Sequence, residues 1–479
     1  MDDATTATTS GQPPAADRVA VPAEVWKIAW VVTLGAFMAQ LDSSLVNVGI
    51  ATISHRLSAS LDTTQWVSTG YLLSLAAAVP ACGWLIRRYG AAQLWLGALV
   101  GFTVISALCA AAPTIGVLIV LRVAQGVAGG LIVPAGQTLV GQAAGPQRMA
   151  RVMSTVLIAV VVAPALGPTV GGLLIAHLSW RWLFLVNVPI GAITLPLALR
   201  VIPRTSGQPA HRIDLGGFVL IALGLPALTY GINQAGQSDV AILSIVLPLA
   251  LGAIALALFG WRALHQDRPL LDLRLFTNRV FTAAACSCLF SGAALFGGML
   301  LLPLYFQLLR GYSVIDTGLA LMPFGIASAL IMPIAGRLTE RLGGGVVAIG
   351  GLTLCAAAIT PFVFLAADIN IVLIEALLFA FGIGIALAAM PTVTTAYASV
   401  EREQMPDATA QINILQRLGG AIGGSLFVAL LGASTGHTVT LGAFHTAFAW
   451  FAGATILALT AAIWLAHAHH HATATRPPA

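Results

Sequence analysis

Asp42 is the residue of this sequence best suited to carry chemistry, because it lies in an otherwise uncharged run from Ile28 to Ile53. If that run crosses a membrane, the carboxylate lies deep in hydrocarbon, where an ionised group is costly and usually functional. A carboxylate in such surroundings can take up and release a proton. The position of Asp42 therefore indicates proton-coupled transport, provided that the chain spans a membrane.

The composition of the chain supports that condition. Charged residues make up 8% of its 479 residues and hydrophobic residues 58%, whereas soluble domains carry roughly 25% charged residues. Apolar runs long enough to cross hydrocarbon as helices of about 20 residues recur along the whole chain. The sequence therefore predicts an all-α polytopic membrane protein. Its fourteen predicted transmembrane spans are 28–54, 66–86, 92–112, 115–141, 152–176, 182–202, 215–234, 240–261, 280–307, 314–335, 346–366, 371–397, 408–434 and 442–466.

The positions of the basic residues predict the orientation of the chain, because cytoplasmic loops carry an excess of Lys and Arg. With the N-terminus inside, the outer loops hold just three of the 22 basic residues, Arg56, Arg181 and Arg310. We therefore predict a multi-pass protein of the inner (plasma) membrane with both termini cytoplasmic, residues 1–27 forming a disordered tail and 467–479 a second tail. The net charge of +5 reflects this topology and implies no nucleic-acid partner.

An internal repeat organises the spans. The pattern G-x-L-x-x-R-x-G closes span 2 at 83–90 and recurs 253 residues later at 336–343, closing span 10. The Gly-rich stretches 167–172 and 419–424, in spans 5 and 13, repeat at an offset of 252. Both pairs lie eight spans apart, so the two halves run in the same direction. Parallel six-span repeats with a site between them are an architecture of secondary transporters. We predict a six-helix bundle over 28–202, a linker with two inserted helices over 203–279, and a second bundle over 280–466.

Several motifs resemble those of the fourteen-span drug:proton antiporters of the major facilitator superfamily. The resemblance covers about residues 25 to 465 and rests on an ordered set rather than on any one motif. The matching stretches are L-D-S-S-L-V-N-V at 41–48, R-V-A-Q-G at 122–126, A-P-A-L-G-P-T-V-G-G at 163–172, S-W-R-W-L-F-L-V-N-V-P-I-G at 179–191, P-L-L-D-L-R-L-F at 269–276, Y-F-Q at 305–307 and G-Y-S at 311–313.

The resemblance implies a major facilitator fold, with two six-helix bundles plus a two-helix insert, and no enzyme activity. It further implies export of amphipathic drugs or toxic compounds by alternating access, driven by the proton gradient without a cofactor. The partners expected are the lipid bilayer, an amphipathic small molecule and protons. Whether a periplasmic adaptor and an outer-membrane channel are also partners is an open question. Also open are a narrow exporter of one metabolite or lipid, a proton symporter, and a non-transporting membrane sensor or assembly scaffold.

Proton coupling is assigned to Asp42, Arg122 and Glu375. Asp42 lies fourteen residues into span 1, about 21 Å from the inner end, and Arg122 seven residues into span 4, about 10 Å from the outer end. In a core about 30 Å thick these depths nearly coincide, so we predict an ion pair that is either the coupling site or a silent structural pair. Glu375, roughly 6 Å into span 12, is either a second proton or cation site or an interfacial carboxylate.

Two further groups of residues are predicted to serve the transport cycle. In span 5, proline removes backbone donors and small residues allow close helix approach, so this segment is expected to bend where the halves move. The residues of this antiporter motif are Pro164, Gly167, Pro168, Gly171 and Gly172. The predicted substrate cavity is lined by Asp42, Asn47, Gln125, Phe290, Phe306, Gln307, Asn413 and Arg417. Neither the Cys nor the His residues predict a metal site.

The repeated motif after spans 2 and 10 is predicted to be a gating loop. Its residues are Gly83, Arg87, Arg88, Gly90, Gly336, Glu340, Arg341 and Gly343. The family pattern places an acidic residue where this chain has Arg87, and the acidic position survives in the second half as Glu340. The charge latch of the N-terminal half is therefore expected to be weakened.

Overall fold

The computed structural model describes residues 21–145, 148–203, 213–235, 240–267, 269–364, 369–432 and 441–474. Regular structure in these ranges is helical, which confirms the predicted all-α class. The α-helices are α1 (Ala23–Arg56), α2 (Leu61–Ala78), α3 (Cys82–Tyr89), α4 (Ala91–Ala110), α5 (Ile115–Ala144), α6 (Met149–His177), α7 (Trp182–Leu185), α8 (Asn187–Val201), α9 (Leu215–Ala235), α10 (Ile242–His265), α11 (Arg279–Leu304), α12 (Val314–Leu342), α13 (Gly344–Ile359), α14 (Ile371–Ala398), α15 (Met405–Gly432) and α16 (Leu441–Ala474).

Most of the predicted spans correspond to helices long and apolar enough to cross a membrane. The described residues contain 12 such helices, or 13 when the bent helix α6 is counted as one span. Predicted span 13 corresponds to α15, which is not among these long apolar helices. Helix α15 carries the polar residues Asn413 and Arg417. The first and last helices also extend beyond the predicted spans: α1 begins at Ala23 and α16 continues to Ala474. The rest of both predicted tails lies outside the described residues.

Local sequence signals explain where several helices begin and end. Ser60, Thr114 and Ser313 cap α2, α5 and α12, each accepting a hydrogen bond from a backbone N–H of the first turn. Gly90 and Gly343 end α3 and α12 with φ values of 88° and 83°, a region that favours glycine. These two glycines occupy the same place in the two repeats, so the repeated motif makes the same sharp turn twice.

The helices pack in matching pairs in the two halves. In the first half α1 lies along α6, α2 along α5, and α4 along α5; in the second, α11 lies along α15, α12 along α14, and α13 along α14. This correspondence follows the order of the sequence repeat. Between the halves, α6 packs directly on α12, and α5 and α3 contact α15.

The inserted helices have unequal surroundings. Helix α9 contacts both α2 and α15, one from each half, whereas α10 packs mainly on α9. Large apolar side chains of α10 are exposed, among them Ile242, Leu243 and Trp261, as expected for a helix that faces hydrocarbon. The insert therefore places α9 between the halves at their α2–α15 side.

Candidate functional site

Asp42 is fully buried on α1 and is surrounded by hydrogen-bond donors. Its Oδ2 atom lies 2.5 Å from Nη1 of Arg122 on α5. Its Oδ1 atom accepts hydrogen bonds from Nδ2 of Asn187 at 2.7 Å and from Nε2 of Gln125 at 3.2 Å. The ion pair that the span depths predict is thus present, while its part in proton coupling stays a prediction.

Arg122 is held from several sides. Its Nε donates to the carbonyl oxygen of Val67 at 3.1 Å, and Nη1 also donates to Oε1 of Gln125 at 2.8 Å. Its guanidinium lies 4.0 Å from the ring centroid of Tyr71, a distance that allows a cation–π interaction. Because both charges are buried, removal of either partner would leave an uncompensated charge.

Ser106 on α4 connects the amide side chains around this pair. Its Oγ accepts from Nε2 of Gln125 at 3.1 Å and from Nδ2 of Asn187 at 2.9 Å, and donates to the carbonyl oxygen of Phe184 at 3.0 Å. We call Asp42, Arg122, Gln125, Asn187 and Ser106 the Asp42 cluster. It is built from helices α1, α4, α5 and α8 of the first half. Three side chains, Arg122, Gln125 and Asn187, thus donate to the two carboxylate oxygens of Asp42.

Two members of the Asp42 cluster are absent from the predicted site residues. Asn187 lies within the stretch 179–191, where a polar side chain among aromatic and aliphatic residues is a usable signal. Ser106 offers no such signal, since a single serine in an apolar span commonly bonds its own helix. Both residues become recognisable when α4 and α8 pack together and bring them to Asp42.

A second polar group joins the two halves. Oε1 of Gln137 on α5 accepts from Nδ2 of Asn413 on α15 at 2.7 Å and from the hydroxyl of Tyr397 on α14 at 3.1 Å. We call these three residues the interface cluster. Gln137 lies twelve residues beyond Gln125, about 18 Å along α5. Asn413, a predicted cavity residue, is therefore part of a contact between the halves and not of the Asp42 cluster.

Arg417 lies one helical turn beyond Asn413 on α15. Its Nε is buried without a hydrogen-bond partner, and it forms no ion pair with any residue that the structure describes. It lies within electrostatic range of Tyr71, the ring that also contacts Arg122. Of the predicted cavity residues outside the Asp42 cluster, Arg417 is the one linked to that cluster through a shared neighbour.

The other predicted cavity residues lie elsewhere. Asn47 is exposed, and its Oδ1 accepts from Oγ of Ser68 at 2.7 Å. Phe290 packs against a small apolar cluster of the second half. Phe306 is fully buried, with its ring centroid 5.5 Å from that of Tyr305, so it faces packed aromatic side chains and not an open cavity. Gln307 is half-buried in the π-helical turn Tyr305–Leu309 that follows α11.

Glu375 lies in the first turns of α14 and is half-buried. It forms no ion pair with the part of the chain that the structure describes. This position agrees with an interfacial carboxylate as well as with a second proton site, and the assignment to proton coupling stays a prediction.

The antiporter motif lies on α6 against α1. The segments Met149–Pro164 and Thr169–His177 meet at an angle of 51°, as expected where proline removes backbone donors. Oγ of Ser44 donates to the carbonyl oxygen of Pro164 at 3.0 Å. A Cβ atom at Gly167 would overlap Ser44, and one at Gly171 would lie 3.3 Å from Leu45. Gly172 has open space beside it, and the side chain of Pro168 lies outside the described residues.

The gating-loop residues form contacts between the halves. Nη1 of Arg87 donates to both carboxylate oxygens of Asp407 on α15, at 2.8 and 2.9 Å. Arg151 on α6 pairs with Glu340 on α12. The carboxylate that Arg87 lacks in its own motif is thus supplied by the other half, while the expectation of a weakened latch in the first half stays a prediction.

The glycines of the gating loops allow these close approaches. A Cβ atom at Gly83 would overlap the carboxylate of Asp407, and one at Gly336 would lie 3.0 Å from the carbonyl oxygen of Ala150. Arg88 and Arg341 lie in the last turns of α3 and α12. Each motif thus combines a glycine at the contact between the halves, Gly83 or Gly336, with a charged residue four positions later, Arg87 or Glu340.

Two parallel helical bundles, a buried charge pair in one of them and ion pairs across their common face define a polytopic membrane carrier. A family model described as Major Facilitator Superfamily matches residues 32–424. The chain belongs to the major facilitator superfamily, a family of membrane transporters.

Relatives and a solved structure agree with this assignment. The chain is 33% identical to the multidrug resistance protein B homolog of Mycobacterium tuberculosis, over 90% of this chain and 80% of that protein. It is 31% identical to a protein of Serratia proteamaculans named putative multidrug resistance protein MdtD, over 88% and 89% of the two chains. Lincomycin resistance protein LmrB of Listeria monocytogenes is 29% identical, over 84% and 85%. The human organic anion transporter MFSD10 has the same fold, with a TM-score of 0.63 at 16% identity, covering 92% of this chain and 100% of that one.

Proposed function

We propose that this protein exports amphipathic compounds, including drugs, across the inner membrane in exchange for protons. The observation that carries the proposal is the buried pair of Asp42 and Arg122. Ionisable groups at membrane depth are costly and commonly belong to proton relays. The names of several relatives, which refer to multidrug or lincomycin resistance, support a drug as the exported compound.

Proton exchange would occur at the carboxylate of Asp42. Protonation of Asp42 removes the attraction for Nη1 of Arg122, which keeps its bonds to Val67 and Gln125 and its contact with Tyr71. Asn187 and Gln125 are amide donors that cannot themselves take the proton at physiological pH. The proton therefore changes the charge of the cluster at one atom and leaves the surrounding helices connected.

Alternating access would depend on contacts between the halves. At the helix ends predicted to be cytoplasmic, Arg87 pairs with Asp407 and Arg151 with Glu340. Nη2 of Arg402 also donates to the carbonyl oxygen of Gln142 at 2.6 Å. These contacts support an arrangement closed on that side, from which transport would require that the ion pairs break.

The proposal is tested with energised inside-out vesicles that contain the full-length protein. A pH-sensitive dye follows proton movement while cationic, neutral and anionic amphiphiles are added one at a time. We expect substrate-evoked proton efflux from the vesicle lumen with the wild type and its loss, by at least about tenfold, with Asp42→Asn. Asp267→Asn, at an exposed position outside the spans, is the matched control and should behave as wild type.

The outcomes separate the alternatives. Full proton-coupled transport by Asp42→Asn would reject the Asp42 cluster as the coupling site and direct attention to Glu375. Proton movement in the same direction as the substrate would favour the symporter. Substrate movement in neither direction, for a variant series that folds and inserts, would favour a non-transporting scaffold.

A further inference from the structure

Arg417 is a deep cation whose charge the described residues leave uncompensated. It lies twelve residues after the first residue of α15, about 18 Å along the helix. Asp42 and Arg122 neutralise each other at 2.5 Å, whereas Arg417 donates no hydrogen bond within the described ranges and its Nε is buried without a partner. A cation at this depth requires either ordered water or an anion.

The faces of α15 show where Arg417 points. Residues four apart share one face of a helix, and the two residues that precede Arg417 at this spacing are Asn413 and Thr409. Asn413 bonds to Gln137, and the hydroxyl of Thr409 lies 2.9 Å from that of Thr138, both on α5. Arg417 therefore lies on the face of α15 that meets the first half.

An adjoining face of α15 packs on the second half itself. Gly419, Gly420 and Gly423 lie against Leu289, Phe296 and Ala293 of α11, close enough that added Cβ atoms would be crowded. Tyr71 of α2 lies within electrostatic range of Arg417, which agrees with a position of Arg417 at the boundary between the halves.

The rotation of α15 about its axis decides which neighbours a side chain at position 417 can reach. A guanidinium one residue earlier would be turned by about 100° around the helix axis. The carbonyl group of Gln416 lies against Gly292 of α11, on the packed side of α15. At position 417 the cation lies one turn beyond Asn413, the residue of α15 that bonds to Gln137 of the first half.

We propose that Arg417 recognises an acidic group of the transported compound, so that the substrates include amphiphiles carrying a carboxylate, sulfonate or phosphate group. A guanidinium binds such planar or tetrahedral anions with two parallel hydrogen bonds. This inference rests on the proposed export through the centre of the molecule. An inside-negative membrane potential favours outward movement of an anion.

Binding is tested with two probes that share one aromatic skeleton. Purified full-length protein in detergent is dialysed to equilibrium against 1-anilinonaphthalene-8-sulfonate, an anion, and against N-phenyl-1-naphthylamine, which is uncharged. We expect Arg417→Gln to weaken sulfonate binding by at least about tenfold and to leave amine binding unchanged. Arg417→Lys should retain part of the sulfonate affinity, because it keeps the charge and loses the paired geometry.

Controls keep the result interpretable. Arg181→Gln removes an exposed arginine of a predicted outer loop and should leave both affinities unchanged, and thermal unfolding checks that each variant is folded. Equal loss of both probes in Arg417→Gln, or unchanged sulfonate affinity in that variant, would overturn the proposal. If Arg417→Gln fails to fold, loss of the sulfonate preference in Arg417→Lys supports the proposal and wild-type-like affinity overturns it.

The Asp42→Asn variant separates this inference from the proposed function. We expect it to retain the preference for the sulfonate over the amine, because Arg417 is intact and the charge of Arg122, no longer compensated, adds to the attraction for an anion. Selective binding together with an absence of proton exchange in vesicles would reject antiport while leaving the anion site in place. Proton exchange without sulfonate preference would reject the anion site alone.

Discussion

Among the described residues, two ion pairs connect the halves; they occupy equivalent places in the repeat and have opposite polarity. Arg87 in the motif of the first half pairs with Asp407, the third residue of α15. Glu340, which lies 253 residues after Arg87, pairs with Arg151, the third residue of α6. The motif residue is thus basic at one contact and acidic at the other, and its partner carries the opposite charge.

This difference shows what such a contact requires. Coulomb attraction depends on the product of the two charges and not on which helix carries which sign. An acidic residue can therefore be replaced by a basic one when its partner across the boundary changes as well. Whether the motif of one half can form an ion pair therefore depends on the helix of the other half that contacts it.

The surroundings of the two contacts also differ. At the Arg87 side, Nη2 of Arg87 donates to the carbonyl oxygen of Leu270 at 3.4 Å, and Nε2 of Gln411 donates to that of Asp272 at 2.8 Å. The connection that follows α10 thereby bonds to both halves. At the Glu340 side α6 packs directly on α12. The inserted helices thus add contacts at one boundary of the halves.

The insert also connects the halves nearer the end of α9. The ring of Tyr230 stacks on Trp66 of α2, with centroids 6.4 Å apart, and Oγ of Ser425 on α15 donates to Oδ1 of Asn233 at 2.7 Å. Separation of α2 and α15 would have to break one of these contacts. We therefore expect the Arg87 side to open less readily than the Glu340 side.

Reversal of one charge at the Arg87 side should have the largest effect. Arg87→Asp places two carboxylates in contact with each other, and we expect the closed arrangement to lose about 2 to 3 kcal/mol. Spin labels on cysteines at Tyr89 and Glu403, both exposed, would report the separation of α3 and α15 by electron–electron distance measurement. The double variant Arg87→Asp with Asp407→Arg should restore the wild-type distance. Failure of this exchange to restore it would show that residue type, and not the charge product, determines the contact.

Neutralisation at the other side should have a smaller effect. Glu340→Gln keeps the size of the side chain and removes its charge, and both partners are partly exposed, at 26% for Arg151 and 18% for Glu340. We expect a loss of about 1 kcal/mol from the closed arrangement, measured by labels at Arg148 and Leu342. Screening by 1 M salt should reduce the difference between this variant and wild type. A larger shift than that of Arg87→Asp would reverse the proposed ranking of the two sides.

Removal of an insert contact should have the smallest effect. Asn233→Ala deletes the hydrogen bond to Ser425, and such bonds between membrane helices contribute about 0.6 kcal/mol on average. We expect faster amide hydrogen exchange in the second half of α9, with no change in α10. Gln234→Ala is the matched control, because the bond that Gln234 donates to Tyr230 lies within α9. Equal acceleration in both variants would argue against α9 as a connection between the halves.

The sequence alone determined the features that depend on position along a helix. Length and hydropathy predict the spans, and the rise of 1.5 Å per residue predicts that Asp42 and Arg122 lie at one depth. The family motifs and the repeat predict the fold, which the comparisons confirm. These quantities are one-dimensional, so they can be derived before any helix is packed against another.

The tertiary structure decided which faces of the helices meet. The rotation of each helix about its axis brings Asn187 and Ser106 to Asp42 and buries Phe306 in an aromatic cluster. The pairing of Arg87 with Asp407 joins residues 320 positions apart. Hydropathy along a membrane helix is high on nearly all sides and gives little information on rotation, so partners across helices follow from packing.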